Sequence, residues 1–181
     1  MLFKNNQYHY GMPTIILHWL IAVMTFALFG LGLWMTDLGY YDDWYTKAPT
    51  LHEGGGVIFF VLLVVRILWR LMNRMPQALN NHKPWEKKAA YLAHNILNLL
   101  LIMITLSGYL IVTAKGDALL VFNFFTIPAS LSGFSNQADI SGDIHYFAAW
   151  VLIVFSIAHA LAALKHHFID KDETLKRMFN K

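Results

Sequence analysis

Four apolar runs, each long enough to cross a bilayer, constrain this chain more than any other feature. They cover about residues 14–36, 52–72, 91–113 and 143–164. A helix needs roughly 20 residues to cross the hydrocarbon core. Hydrocarbon offers no partner to an open strand edge, so runs of this kind must be helices. The chain is 57% hydrophobic and 14% charged, whereas soluble domains are about half apolar and about one quarter charged. Four buried helices in a small soluble bundle would not be so long and so poor in charge. The expected fold is therefore all-α: an integral membrane four-helix bundle forming one domain over residues 1–181. Lys4 precedes the first run without a long basic region or a small-residue cleavage site, so that run reads as a retained span rather than a signal peptide.

Charge gives an orientation. Twelve of the fourteen Lys and Arg residues lie before the first run, between residues 66 and 90, or from Lys165 onward. The other two connections, taken with the first two residues of the spans that follow them, hold only Lys47 and Lys115 and seven of the eleven acidic residues. Basic connections stay on the cytoplasmic side, so both termini and the middle connection are expected in the cytoplasm. The net charge of +3 is mostly this asymmetry, and it gives no argument for nucleic acid. The connection from 114 to 142 contains "LLVFNFFTIP", too short to span and ended by Pro128. It reads as an interfacial segment near the headgroups.

The absence of cysteine excludes disulfides, thiolate metal sites, iron–sulfur clusters and covalent haem attachment. Nine histidines remain, and an imidazole inside a span is a functional hypothesis by default. His18 lies early in the first span, near the cytoplasmic face. His52 and His145 begin spans that start from the opposite face. His159 lies fourteen residues beyond His145, about 21 Å deeper at 1.5 Å per residue. That is nearly four turns, so the two share one helix face. His18 then matches His159 in depth, and His52 matches His145. Each pair draws on two helices, and two facing imidazoles can hold a haem iron from both sides. A lone histidine could instead bond a backbone carbonyl; two depth-matched pairs argue for ligation. Zinc fits poorly, because it takes three or four protein ligands and the pairs lie too far apart to share an ion. The expected cofactors are two b haems per chain, with His18 and His159 on the inner iron and His52 and His145 on the outer one.

Several other residues carry expectations. Arg66 is deep enough to pair with a haem propionate, although snorkelling is its alternative. Gly54, Gly55 and Gly56 follow His52, and Gly56 is read as giving a flat macrocycle access to the backbone. Gly30 and Gly32 are read as helix packing. Lys115 could meet a substrate anion or a propionate of the outer haem. His94, His166 and His167 lie near the inner face, where histidine suits proton delivery. His9 and His82 read as solvated.

The segments "LHWLIA", "LHEGGGVIFFVLLVVRILWRL", "LAHNILNLLLIMITLSGY" and "IHYFAAWVLIVFSIAHALAALKHHF" together resemble the bacterial cytochrome b561 family over nearly the whole chain. The resemblance implies two b haems on the residues matching His18, His52, His145 and His159. It also implies quinone chemistry in the bacterial inner membrane, among lipid. The family's superoxide-oxidising members take an electron from superoxide at the outer haem and pass electrons to ubiquinone inside; other relatives carry electrons for a redox partner protein, such as a hydrogenase or formate dehydrogenase. By resemblance, His166 is the quinone neighbour and Lys115 stands where the superoxide-oxidising members carry a basic residue. Glu53 beside His52 departs from a pattern that would steer an anion, as do the acidic outer connections.

Overall fold

The computed structural model describes residues 2–79 and 82–179. Four helices follow in order: α1 (Met12–Thr36), α2 (Lys47–Met72), α3 (Pro84–Val112) and α4 (Gln137–Phe168). All four are long and apolar enough to cross a membrane. Each begins before its apolar run, and α4 also ends beyond its own. A helix satisfies its own backbone in headgroups as well as in hydrocarbon, so hydropathy marks the membrane while hydrogen bonding marks the helix. The start of α3 shows how. Pro84 occupies the first turn, where its missing N–H costs nothing, and the Lys83 N–H donates to the Glu86 carboxylate at 2.9 Å.

The helices form two close hairpins. α1 packs along α2 and α3 along α4, while α1 and α4 meet only sparsely. The innermost apolar residues come from all four helices: Ile21, Phe59, Leu63, Leu100, Leu101 and Leu152. Leu152 lies seven residues from His145 and seven from His159, so this apolar plug separates two histidine levels. The outer faces are apolar and exposed, as at Val23, Val61, Leu68, Val154 and Leu161. A chain that presents such surface on every helix is built for lipid. The four helices make the chain a multi-pass membrane protein.

The all-helical expectation has one small exception. The segment read as interfacial contains an antiparallel pair, β1 (Leu119–Val121) with β2 (Phe125–Ile127). Phe122 and Asn123 both have positive φ, 47° and 62°, and the Phe124 N–H donates to the Val121 carbonyl at 2.9 Å. Two left-handed residues in succession match the twist of a tight hairpin. Asparagine accepts that conformation readily; phenylalanine does not. Beyond α4 the chain turns back across the termini end of the bundle, with a 3₁₀ turn at Lys176–Met178.

Candidate haem sites

The histidines occupy the two ends of the bundle, on either side of the apolar plug. At one end α2 supplies His52 and α4 supplies His145, with ring centres 6.1 Å apart and planes crossed at 74°. At the other, α1 supplies His18 and α4 supplies His159, with centres 6.3 Å apart and planes at 65°. These spacings can be tested against chemistry. A metal–imidazole bond is about 2 Å, and ring nitrogen to ring centre adds a little over ~1 Å, so two imidazoles on opposite sides of one metal sit ~6 Å apart. Both pairs have that separation, and both bridge helices of different hairpins. The donor set also fits: only imidazole nitrogens converge, which is the set for a b-type haem.

The His52 end is shaped by small residues. A Cβ on Gly32 would lie 3.1 Å from the His52 ring, and one on Gly108 would lie 3.1 Å from the His145 ring. Both glycines leave room for an imidazole. Gly32 is therefore more than helix packing, whereas Gly30 meets nothing within 4 Å. The three glycines after His52 differ from one another. A Cβ on Gly54 would enter the Phe122 ring at 2.5 Å, and one on Gly55 would press Leu28 at 2.8 Å. Gly56 has nothing within 4 Å of the place a Cβ would take. Phe122 thus gives the β hairpin its seat against Gly54, two residues along α2 from His52.

The His145 ring is held from behind. Its Nδ1 lies 3.0 Å from the Ile104 carbonyl oxygen and 3.2 Å from Ser107 Oγ. A carbonyl only accepts, so Nδ1 carries the proton and Nε2 keeps its lone pair free for a metal. The buried Nδ1 of His52 has no such partner among the described residues. Glu53 is half-buried in the next position, and Lys115 lies exposed in the turn after α3.

The His18 end is crowded with polar groups. His94 from α3 stands 5.2 Å from His159, so three imidazoles meet here. That spacing is too short for opposite ligands of one iron. Arg66 turns into the bundle and donates to Asn98 Oδ1 at 3.3 Å, rather than reaching outward to the headgroups. Trp19, next to His18, donates from Nε1 to the Met178 carbonyl at 2.9 Å and packs its ring 5.0 Å from Phe179. The C-terminal tail therefore lies beside this end. His166, two turns beyond His159, belongs to a separate cluster with His82, Asp170 and Asp172. His82 is thus not a solvated loop residue.

A membrane helix bundle whose imidazoles pair at the spacing of trans metal ligands defines a class: a membrane-embedded scaffold for b-type haem. The chain matches the family described as "Prokaryotic cytochrome b561" over residues 9–181. It therefore belongs to the prokaryotic cytochrome b561 family of membrane electron carriers, which implies binding of b-type haem. It is 46% identical to cytochrome b561 homolog 2 of Escherichia coli (strain K12), across all of this chain and 96% of that protein. It is 28% identical to the probable superoxide oxidase CybB of Yersinia pestis, over 95% of this chain and 96% of that one. Cytochrome b561 homolog 1 of Escherichia coli (strain K12) is 29% identical over 91% of this chain and 93% of its own length.

Sequence reasoning had chosen the four paired histidines and Arg66. It had no means of finding Ser107, Gly108, the Ile104 carbonyl or Phe122, whose relevance arises from neighbours on other helices. His94 and Asn98 carried a weak signal, as polar residues one turn apart on an apolar helix.

Proposed function

We propose that this protein is a di-haem cytochrome that carries electrons from a periplasmic donor to ubiquinone in the inner membrane. The single observation that carries the reading is the repeated spacing of two imidazole pairs, 6.1 Å and 6.3 Å, at opposite ends of one bundle. His18 and His159 hold the inner haem, and His52 and His145 hold the outer one. The haems, when bound, take up and release single electrons. Two histidines bound to each haem would leave its iron no open position, which would favour electron transfer over binding of oxygen. Both termini and the basic α2–α3 connection face the cytoplasm, following the distribution of Lys and Arg.

The chain's own residues supply position and charge. The Ile104 carbonyl fixes the tautomer of His145, so that its Nε2 lone pair is left free for a haem iron. Arg66 sits beside Asn98 at the inner level, where its guanidinium suits a propionate. Gly56 leaves open the space that a macrocycle edge needs. Lys115 is an exposed cation on the outer side, available to a substrate anion. His166 lies at the inner end of α4, where its imidazole is placed to hand a proton to a quinone.

Superoxide is the donor favoured by similarity to the probable superoxide oxidase of Yersinia pestis. Two superoxide anions each lose one electron and become dioxygen. Ubiquinone takes those two electrons and two protons from the cytoplasmic side and becomes ubiquinol. A second reading is favoured by Glu53 and the acidic outer connections, which repel anions: a carrier subunit that receives electrons from a partner redox protein.

The test is a reduced-minus-oxidised visible spectrum of the purified protein, with haem counted per chain. Two haems per chain with low-spin b-type bands are expected, and reduction by superoxide followed by reoxidation with a soluble ubiquinone. Two haems that superoxide leaves oxidised would move the assignment to the carrier reading. One haem or none would overturn the paired-ligand proposal.

A further inference from the structure

Apart from both haem levels, the termini end of the molecule holds a second convergence of ligating atoms. His82 lies in the connection before α3, His166 in the last turns of α4, and Asp172 in the tail. Their nitrogen and carboxylate oxygen atoms lie within 4.8 Å of one another. His82 Nε2 is 2.8 Å from Asp172 Oδ2, and His166 Nδ1 is 3.2 Å from the same oxygen. The two rings face each other with centres 4.5 Å apart and planes at 34°. Asp172 is buried, with its side chain 3% exposed, and each histidine side chain is 15% exposed. His166 Nδ1 is buried, and no hydrogen bond reaches it among the described residues; the nearby carboxylates are at ion-pair distance but not at hydrogen-bond angles. A cavity of about 260 Å³ opens beside the group.

We infer that His82, His166 and Asp172 form a binding site for a divalent cation of the zinc type, which fastens the C-terminal tail to the bundle. The chemistry selects the ion. Zinc takes imidazole nitrogen and carboxylate oxygen at about 2 Å, which puts tetrahedral ligands roughly 3.3 Å apart. The measured 2.8 Å and 3.2 Å are close to that. Magnesium and calcium prefer oxygen ligands alone. The cavity supplies room for water as a fourth ligand. His82 Nε2 hydrogen-bonds Asp172 Oδ2, whereas His166 Nδ1 approaches the same oxygen without a hydrogen bond; a dication would release the imidazole protons to water and satisfy both nitrogens and the carboxylate.

The neighbouring group shows why the ion belongs on this trio. Glu86, His166 and Asp170 also converge, but the Lys165 ammonium already lies 3.1 Å from Glu86 Oε1 and 2.6 Å from Asp170 Oδ2. A cation therefore already neutralises that set. No ammonium or guanidinium is paired with Asp172 among the described residues; Lys83 lines the cavity without an ion pair. Instead Asp172 accepts from the Thr174 N–H at 2.8 Å, which aims the carboxylate inward. The site uses Nδ1 of His166 and leaves Nε2 for the quinone role, so it does not depend on that role.

Binding would have a structural consequence. The tail runs from Asp172 to Met178 and Phe179, which rest on Trp19. Arg177 also donates to the Gln77 carbonyl at 2.8 Å. An ion at Asp172 would hold this strap against the bundle beside His18.

The experiment uses the haem-loaded full chain, purified in detergent without a polyhistidine tag and without added quinone. Zinc chloride is titrated against it, bound metal is counted after dialysis, and tryptic cleavage at Lys171, Lys176 and Arg177 is followed in parallel. One zinc per chain is expected, with cleavage slowed at least several-fold by zinc and unaffected by magnesium. Asp172→Asn and His82→Gln should each weaken zinc binding at least tenfold while leaving the haem spectrum unchanged. Should one variant fail to load haem, the other carries the test. Absence of stoichiometric zinc, or zinc binding that survives both substitutions, would overturn the site. Neither result touches the haem count, so failure here is separate from failure of the proposed function.

Discussion

The two ends of the bundle place imidazoles at nearly the same spacing, by different means. The His52 end is fitted by shape. Gly32 and Gly108 clear the two rings, the Ile104 carbonyl and Ser107 hold one of them, and Phe122 wedges a hairpin against Gly54. The His18 end is fitted by polar company. A third imidazole, an arginine, an asparagine and a folded-back tail surround the pair. An end that only accepts electrons needs rigidity and exclusion of water. An end that also delivers protons needs titratable groups and a connection to the aqueous phase. Under the proposed function, the difference between the ends is the difference between one chemistry and two.

That contrast can be broken most severely at the ligands. His145→Ala should remove the outer haem and leave about one haem per chain, read by haem quantification; retention of both would contradict the pairing. At the inner end the crowd offers a sharper comparison. His18→Ala should lose the inner haem, whereas His94→Ala should keep both, because only His18 stands at the separation of opposite ligands. If His94→Ala also loses a haem, the third imidazole is structural to the site.

Shape dependence is tested next. Gly54→Val would drive its side chain into the Phe122 ring, and such overpacking costs about 1–3 kcal/mol. A lowered temperature of haem loss should result, and the double variant with Phe122→Ala should recover much of it. Gly56→Ala, with open space around it, should cost far less unless a bound macrocycle fills that space. The smallest effect should come from Ser107→Ala. The Ile104 carbonyl still accepts the His145 proton, so the loss should stay below about 1 kcal/mol, with both haems retained in the same spectrum.

The depth of each histidine was legible in the sequence because helical rise is rigid and hydropathy marks where each span begins. Rotation was not. Helices apolar on every side lack the polar stripe from which facing is read, so nothing told Gly32, which clears His52, from Gly30, which clears nothing. Arg66 had two destinations of similar merit until Asn98 appeared across the helix gap. Phe122 and His82 illustrate a second kind of silence. An aromatic residue in a left-handed turn violates the usual turn chemistry, and a loop histidine acquires partners only when the tail folds back from ninety residues away.

The fourteen residues between His145 and His159 are an electrical length as well as a helical one. They span about 21 Å, roughly two thirds of a ~30 Å hydrocarbon core. A full crossing by one charge is worth about 2.3 kcal/mol per 100 mV, so under the proposed function each electron passed along this length would exchange more than half of that with the membrane potential. With the cell interior negative, inward flow works against the field. A respiring membrane would thus hold back the protein it houses, and a de-energised one would release it.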